Sequence, residues 1–192
     1  MDFPPIETSR LVVRPVVAED IGACHELFQA IGFTDRESGE TETRTQCLSW
    51  LNWTVQNYRE LARLKQPPYG DRAVVVKDNG RFAGLVGLVP LLAPFGQLPS
   101  FGRVERAPFS AEVGLFWALL PELRGHGFAT EAAHALLGYA RETMKLGRIM
   151  AGTAYDNTPS IAVMQRLGMR IEENPYPDPA WFQITGILEL NR

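Results

Sequence analysis

The sequence predicts an α+β fold built on a mixed sheet, and three observations carry that prediction. Strand-like and helix-like segments follow one another irregularly, in the order β-α-α-β-β-β-α-β-α-β-β. Asn79-Gly80 joins two β-rich runs, the dipeptide of a tight hairpin and hence of antiparallel pairing. Elsewhere helical stretches separate strands, which implies crossover connections. Hairpins and crossovers in one chain give a mixed sheet, not a doubly wound parallel one. A length of 192 residues predicts a single domain, 1–192.

"RLVVRPV" (Arg10–Val16) is short and β-branched, and Pro15 makes it an edge-like first strand. Ile21, Cys24, Leu27, Phe28 and Ile31 recur at helical spacing after Glu19 and Asp20. A second helix is predicted over about Glu42–Lys65, ended by "PPYGD". The Asn79-Gly80 hairpin follows, with a type I′ turn expected. Residues 93–110 are rich in Pro, Gly and Phe without a period and read as a long loop, functional or mobile. "AEVGLFWALL" (Ala111–Leu120) is the next strand, with Glu112, Gly114 and Phe116 expected on one face. A helix over about Phe128–Lys145 is closed by Gly147. "RIMAGTAY" is a strand, "NTPSIAVMQRLG" a short helix with Pro159 in its first turn, and "MRIEEN" and "FQITGILEL" the last two strands.

The bulk numbers exclude several classes. Apolar residues make up 45% and charged residues 21%, the profile of an ordinary globular chain. A net charge of −3 gives no basic footprint for nucleic acid. No apolar run is long enough for a transmembrane helix and the N-terminus does not read as a signal peptide, so a cytoplasmic protein with no membrane partner is expected. Cys24 and Cys47 show no metal-ligand spacing with each other or with the three histidines, so free reduced thiols and no metal are expected. Glu37, Glu40 and Glu42 read as a solvated acidic face.

The chemistry-bearing stretch is "LLPELRGHGFATEA", a strand end followed by Arg-Gly-x-Gly and a helix. A helix N-terminus offers unpaired N–H groups and a partial positive charge. Glycines there let the backbone approach an anion and adopt the positive φ of anion-binding nests. A pyrophosphate cradle and a plain turn both fit this spelling. A Walker loop does not, because no Gly-Lys-Ser/Thr follows. A dinucleotide fingerprint lacks its third glycine, since Thr130 stands there.

"ELRGHGFATEA" resembles the acyl-coenzyme A motif Arg/Gln-x-x-Gly-x-Gly/Ala of the GNAT N-acetyltransferase superfamily, at Arg124, Gly127 and Ala129. "DNTPSIAVMQRLGMR" resembles the Asn-x-x-Ser…Leu-Gly-Met/Phe motif of the branch with the ribosomal-protein N-terminal acetyltransferases, at Asn157, Ser160, Leu167, Gly168 and Met169. "SAEVGLFWALLPELRG" is similar to the family's fourth strand, and "ETSRLVVRPVVAED" to its opening strand and helix. Four motifs in order cover nearly the whole chain.

The resemblance implies a mostly antiparallel central sheet flanked by helices. It implies acetyl-coenzyme A as co-substrate and direct acetyl transfer to a primary amine of a protein N-terminus or a small molecule, by a monomer or homodimer. It implies that the backbone of Arg124, Gly125, His126, Gly127, Phe128, Ala129 and Thr130 wraps the pyrophosphate. The main chain around Leu115–Leu119 would bond the pantetheine arm, and Asn157 would contact the cofactor or the acceptor near the thioester; a turn residue closing the preceding strand is the alternative for Asn157. Glu112 is the candidate base, through water, and an exposed surface carboxylate is its alternative. Many relatives carry a tyrosine seven residues after the motif asparagine; here it is Met164. Ser160 is then the candidate proton donor and Tyr155 a weaker one, although Ser160 in a first helical turn also bonds backbone. Trp50, Trp53, Phe95, Phe101, Phe109 and Trp181 are candidate aromatic walls or core. The competing function is a catalytically silent acyl-coenzyme A binding module. The third alternative, a nucleotide-binding α/β domain, rests on the glycine loop alone.

Overall fold

The computed structural model describes residues 3–33 and 43–190, so the acidic stretch Glu37, Glu40 and Glu42 lies outside the described residues. Eight strands form one sheet in the order β1-β2-β3-β4-β5-β6-β8-β7. They are β1 (Ile6–Glu7), β2 (Leu11–Pro15), β3 (Gly70–Val76), β4 (Phe82–Ala93), β5 (Ser110–Leu119), β6 (Arg148–Thr153), β7 (Arg170–Glu173) and β8 (Ile184–Glu189). Four α-helices intervene: α1 (Ile21–Ile31), α2 (Arg44–Arg63), α3 (Phe128–Glu142) and α4 (Thr158–Arg166). The α+β prediction holds, with one strand more than the sequence suggests. Among the described residues no helix is long and apolar enough to cross a membrane.

Two compact units divide the chain: Met1–Gly87 with Phe116–Leu136, and Leu88–Leu115 with Leu137–Arg192. The core of the first is Val16, Cys24, Leu27, Phe28, Cys47 and Leu51 against Ala73, Phe82, Leu85, Ala118 and Leu120. The α1 stripe read from the sequence is what buries Cys24, Leu27 and Phe28. Both cysteines are buried thiols outside any disulfide. Burial pushes the Cys24 thiol up to about 12, which removes it as a nucleophile. Thr43 and Gln46 form a capping box that starts α2.

The second unit is centred on Ala93, Phe95, Leu98, Met150, Phe182 and Ile187. Residues 94–109 are ordered here by two short 3₁₀ turns and by side chains. Buried Gln97 donates to the carbonyls of Glu105 and Asp178, and Asn174 donates to Gln97 Oε1 and to Phe182 O. In this unit β6 and β8 share six antiparallel register pairs, whereas β5 and β6 run parallel with one, Gly114↔Met150.

Several local expectations are corrected. β2 is not an edge strand, because β1 pairs with it at Ile6↔Val13 and Glu7↔Val12; Pro15 is tolerated because it lies beyond that ladder. The hairpin turn is not type I′. Val76 and Arg81 close a four-residue loop in which only Gly80 has positive φ (67°), Gly80 N–H donates to Val76 O, and Asn79 Oδ1 accepts from Arg81 N–H. Lys145 (φ 56°), not Gly147, ends α3, and the Met144 and Leu146 N–H groups cap the carbonyls of Tyr139 and Ala140. Burial does not alternate along β5: Gly114 and Leu115 are both buried, as are Ala118 and Leu119, so burial does not distinguish the face of Glu112, Gly114 and Phe116 from the other.

Gly84 shows where the first unit tolerates no side chain. Its φ is +152°, and a Cβ there would lie 2.0 Å from Ala118 O and 2.8 Å from Leu119 Cα. Backbone cannot swing aside as a side chain does. Gly84→Ala is expected to lower stability by about 3 kcal/mol, read as a drop in the urea unfolding midpoint; an unchanged midpoint would show that the strands relax at no cost.

Candidate functional site

The glycine junction lies in the first unit. After β5 the chain makes a 3₁₀ turn over Pro121–Leu123, passes through extended Arg124, and enters α3 at Phe128. Gly125 (φ 78°) and Gly127 (φ 79°) are left-handed, and His126 between them is not. Left-handed residues in such alternation are the backbone pattern from which anion-binding nests are built. Arg124 N–H bonds Pro121 O, and the next N–H with an acceptor is that of Glu131, on Gly127 O. Six consecutive N–H groups, Gly125 to Thr130, therefore find no acceptor among the described residues. A Cβ at Gly125 would meet nothing within 4 Å, so the glycine is required by its backbone angle and not by crowding.

The side chains brace this loop. Arg124 Nε donates to Leu119 O (3.0 Å), and its terminal amino groups have no partner among the described residues. The His126 ring bonds Arg124 O through Nδ1 (2.8 Å) and stacks on buried Phe128 at 5.7 Å. Two residues that the sequence analysis did not select hold it from behind. Arg10 donates from Nη1 to His126 O (2.9 Å) and from Nε to Glu131 Oε2 (2.7 Å), with its guanidinium over the Phe128 ring. Glu131 Oε1 accepts from Thr8 Oγ1, Ser9 Oγ and Arg10 N–H.

The remaining predicted residues lie in the second unit. Asn157 is the N-cap of α4, its Oδ1 accepting from Ser160 N–H (3.2 Å), so these two are brought together. Its amide Nδ2 and the Ser160 hydroxyl have no partner among the described residues. Tyr155 is committed, its hydroxyl donating to Asn174 O (3.1 Å). Met164 is fully buried, and a Cβ at Gly186 would lie 3.0 Å from its sulfur. Glu112 stands in a different grouping: Arg148 Nη1 donates to Glu112 Oε1 (3.0 Å) while Arg148 Nε donates to Glu189 (3.0 Å). No hydrogen bond joins Glu112 to Asn157 or Ser160 among the described residues.

Of the candidate aromatics, Trp50 packs edge-on to Phe28, and Phe95 and Phe101 line the second core. Trp53, Phe109 and Trp181 are exposed, the last two 6.4 Å apart. A further titrating group escapes sequence reading. Burial of Asp71, opposed by Arg72, raises its carboxyl to about 6, and its Oδ1 has no donor among the described residues.

Burial alone would raise the Glu131 carboxyl. The bonds from Thr8, Arg10 and Ser9 outweigh that and bring it from 4.5 down to about 2. A depressed native value means that the stabilisation is complete above the ordinary 4.5 and is lost as pH falls toward 2. Glu131→Gln is expected to be less stable than wild type at neutral pH, with the gap closing across that acid range. Urea unfolding of both proteins at stepped pH checks it.

Residues 10–170 match the family described as Acetyltransferase (GNAT) domain. A stretch of 61 residues is 43% identical to the protein named Uncharacterized N-acetyltransferase YnaD of Bacillus subtilis (strain 168), over 32% of this chain and 35% of YnaD. The chain thus spans about a third of that curated relative in the match. A GNAT-family acetyltransferase from Bacillus anthracis superposes with a TM-score of 0.67 at 20% identity, over 98% of this chain and 99% of that one. RimL, a ribosomal L7/L12 alpha-N-protein acetyltransferase solved with coenzyme A, superposes with a TM-score of 0.63 at 13% identity, over 95% of each chain. At such identities the superpositions speak for the fold, while the family match spans most of the chain: this protein belongs to the GNAT acetyltransferase family.

Proposed function

We propose that the chain is an acetyl-coenzyme A dependent N-acetyltransferase that acts on a primary amine of a protein N-terminus or a small molecule. The observation that carries this reading is the row of six unclaimed N–H groups at the left-handed glycines. A pyrophosphate has the charge and the acceptor oxygens to use them. Coenzyme A with its acyl group supplies a thioester, an activated acyl carbon. That RimL, of the same fold, is described as a protein acetyltransferase in complex with coenzyme A supports both the donor and the amine acceptor.

Arg124 to Thr130 would hold the pyrophosphate by main chain, with the terminal amino groups of Arg124 adding charge. Main chain around Leu115–Leu119 would bond the pantetheine arm; the single register pair between β5 and β6 supports this, since a short parallel ladder leaves strand edge without protein partners. The acceptor must lose a proton to attack. Glu112 would take it through water with its second carboxylate oxygen, which has no partner among the described residues. Asn157 would orient donor or acceptor with its amide, and Ser160 would return a proton to sulfur. A thiol with a pKa of about 8.5 makes that return less demanding than the deprotonation.

Calorimetric titration with acetyl-coenzyme A, then an amine and peptide screen with thiol detection, tests the reading. Heat without turnover of any amine would instead select the silent binding module. Gly127→Val is expected to abolish binding while circular dichroism stays native, because a branched residue resists the left-handed φ. Glu112→Gln is expected to bind the donor normally and turn over about 10²–10⁴-fold more slowly; unchanged turnover would remove Glu112 as the base.

A further inference from the structure

A row of six N–H groups without acceptors has no hydrogen bonds of its own to fix it, and two glycines in it carry maximal backbone freedom. Something else must set its direction. From the geometry we infer that Arg10 and Glu131 form a clamp that aims the Gly127 N–H into the donor site, so that both are positioning residues for acyl-coenzyme A binding. The inference rests on the reading of the junction as a pyrophosphate site.

Peptide planarity supplies the first step. In a trans peptide the carbonyl of His126 and the N–H of Gly127 point in opposite directions. Arg10 Nη1 holds that carbonyl at 2.9 Å. The Gly127 N–H is therefore turned away from Arg10, to the side where no protein acceptor waits. The same guanidinium lies 4.8 Å from the Phe128 ring centroid, gripping the first residue of α3.

Glu131 supplies the second. Its Oε2 takes Arg10 Nε at 2.7 Å and Nη2 at 2.6 Å, so a planar fork is fixed by a carboxylate on one side and a peptide carbonyl on the other. Its Oε1 binds Thr8 Oγ1 at 2.6 Å, Ser9 Oγ at 3.0 Å and Arg10 N–H at 2.9 Å. The segment before β2 is thereby docked on the first turn of α3. There is also a charge argument. A carboxylate in the first turn of a helix suits the helix dipole but repels an anion bound beside it. Arg10 cancels that repulsion. Neither partner is useful alone, so their effects on donor binding must be coupled.

The test is coenzyme A titration by calorimetry, together with apo unfolding midpoints, for wild type, Arg10→Ala, Arg10→Lys, Glu131→Gln and the double variant Arg10→Ala/Glu131→Gln. Wild type giving no heat would sink the pyrophosphate reading itself. With wild type binding, Arg10→Ala is expected to weaken coenzyme A by about 10–100-fold. The double variant is expected to be no weaker than Arg10→Ala, because the clamp is already broken and the repelling charge is gone. Arg10→Lys keeps the charge but cannot span carboxylate and carbonyl as a fork, so it is expected to stay weaker than wild type. Lowered midpoints with coenzyme A affinity unchanged would show a purely structural pair and overturn the clamp. Additive losses in the double variant, or full rescue by lysine, would overturn it equally.

Discussion

Backbone N–H groups must be satisfied, and the run from Gly125 to Thr130 finds no acceptor among the described residues. A helix start always has a few such groups, but here two left-handed glycines extend the run upstream of the helix. Buried, the row would cost free energy at every position. It persists because Gly125, His126 and Gly127 are exposed, so water or an anion can serve it. Much of the surrounding unit is arranged to keep it that way. Arg124 is tied to the strand end, His126 to Arg124, and Arg10 and Glu131 brace the helix start. The bracing uses charge-assisted bonds, the stronger class, because a loop with no internal ladder needs strong external ones.

The second unit solves a different problem with the same means. Residues 94–109 are too long a connection to be held by backbone pairing alone. Buried Gln97 and Asn174 bond one another and donate to three backbone carbonyls, those of Glu105, Asp178 and Phe182, so the segment is fixed by side chains that satisfy backbone. Ser100 extends this, bonding Glu172 through both its N–H and its hydroxyl, and Arg170 closes on the same carboxylate. Polar groups this deep stabilise only when complete, and the bonds Gln97–Asp178, Asn174–Gln97 and Ser100–Glu172 join the segment to β7 or to the stretch between β7 and β8.

The sequence carried most of the fold and part of the site, and the division follows contact distance along the chain. The glycine junction, the short helix with Pro159 in its first turn and the element order are local, so spelling and periodicity show them. The two-residue β1 escaped because a strand that short has no period. The type of the Asn79-Gly80 turn and the end of α3 at Lys145 escaped for a subtler reason: the first depends on Asn79 Oδ1 accepting from Arg81 N–H, the second on which amides reach the Tyr139 and Ala140 carbonyls. The Arg10–Glu131 clamp joins residues 121 apart and Glu112–Arg148 joins residues 36 apart. No pattern within one sequence marks such partners, although Arg10 and Glu131 each sit inside a motif quoted for other reasons.

Met164 shows how packing constrains chemistry. The side chain is fully buried, and its sulfur lies where a Cβ on Gly186 would nearly touch it. Methionine suits this gap because it is unbranched and adaptable. A tyrosine there would be larger, and its hydroxyl would need a polar partner beside Met169 and Gly186. The absence of a phenol from this position is therefore built into the second core and is not a single-residue accident. Under the proposed function, proton return would come from an exposed group or from water, and Ser160 keeps an uncommitted hydroxyl at the start of the same helix among the described residues. On that proposal, deprotonating the amine would be the step that the side chains assist most, which makes the ion-paired carboxylate of Glu112 the more telling group to probe.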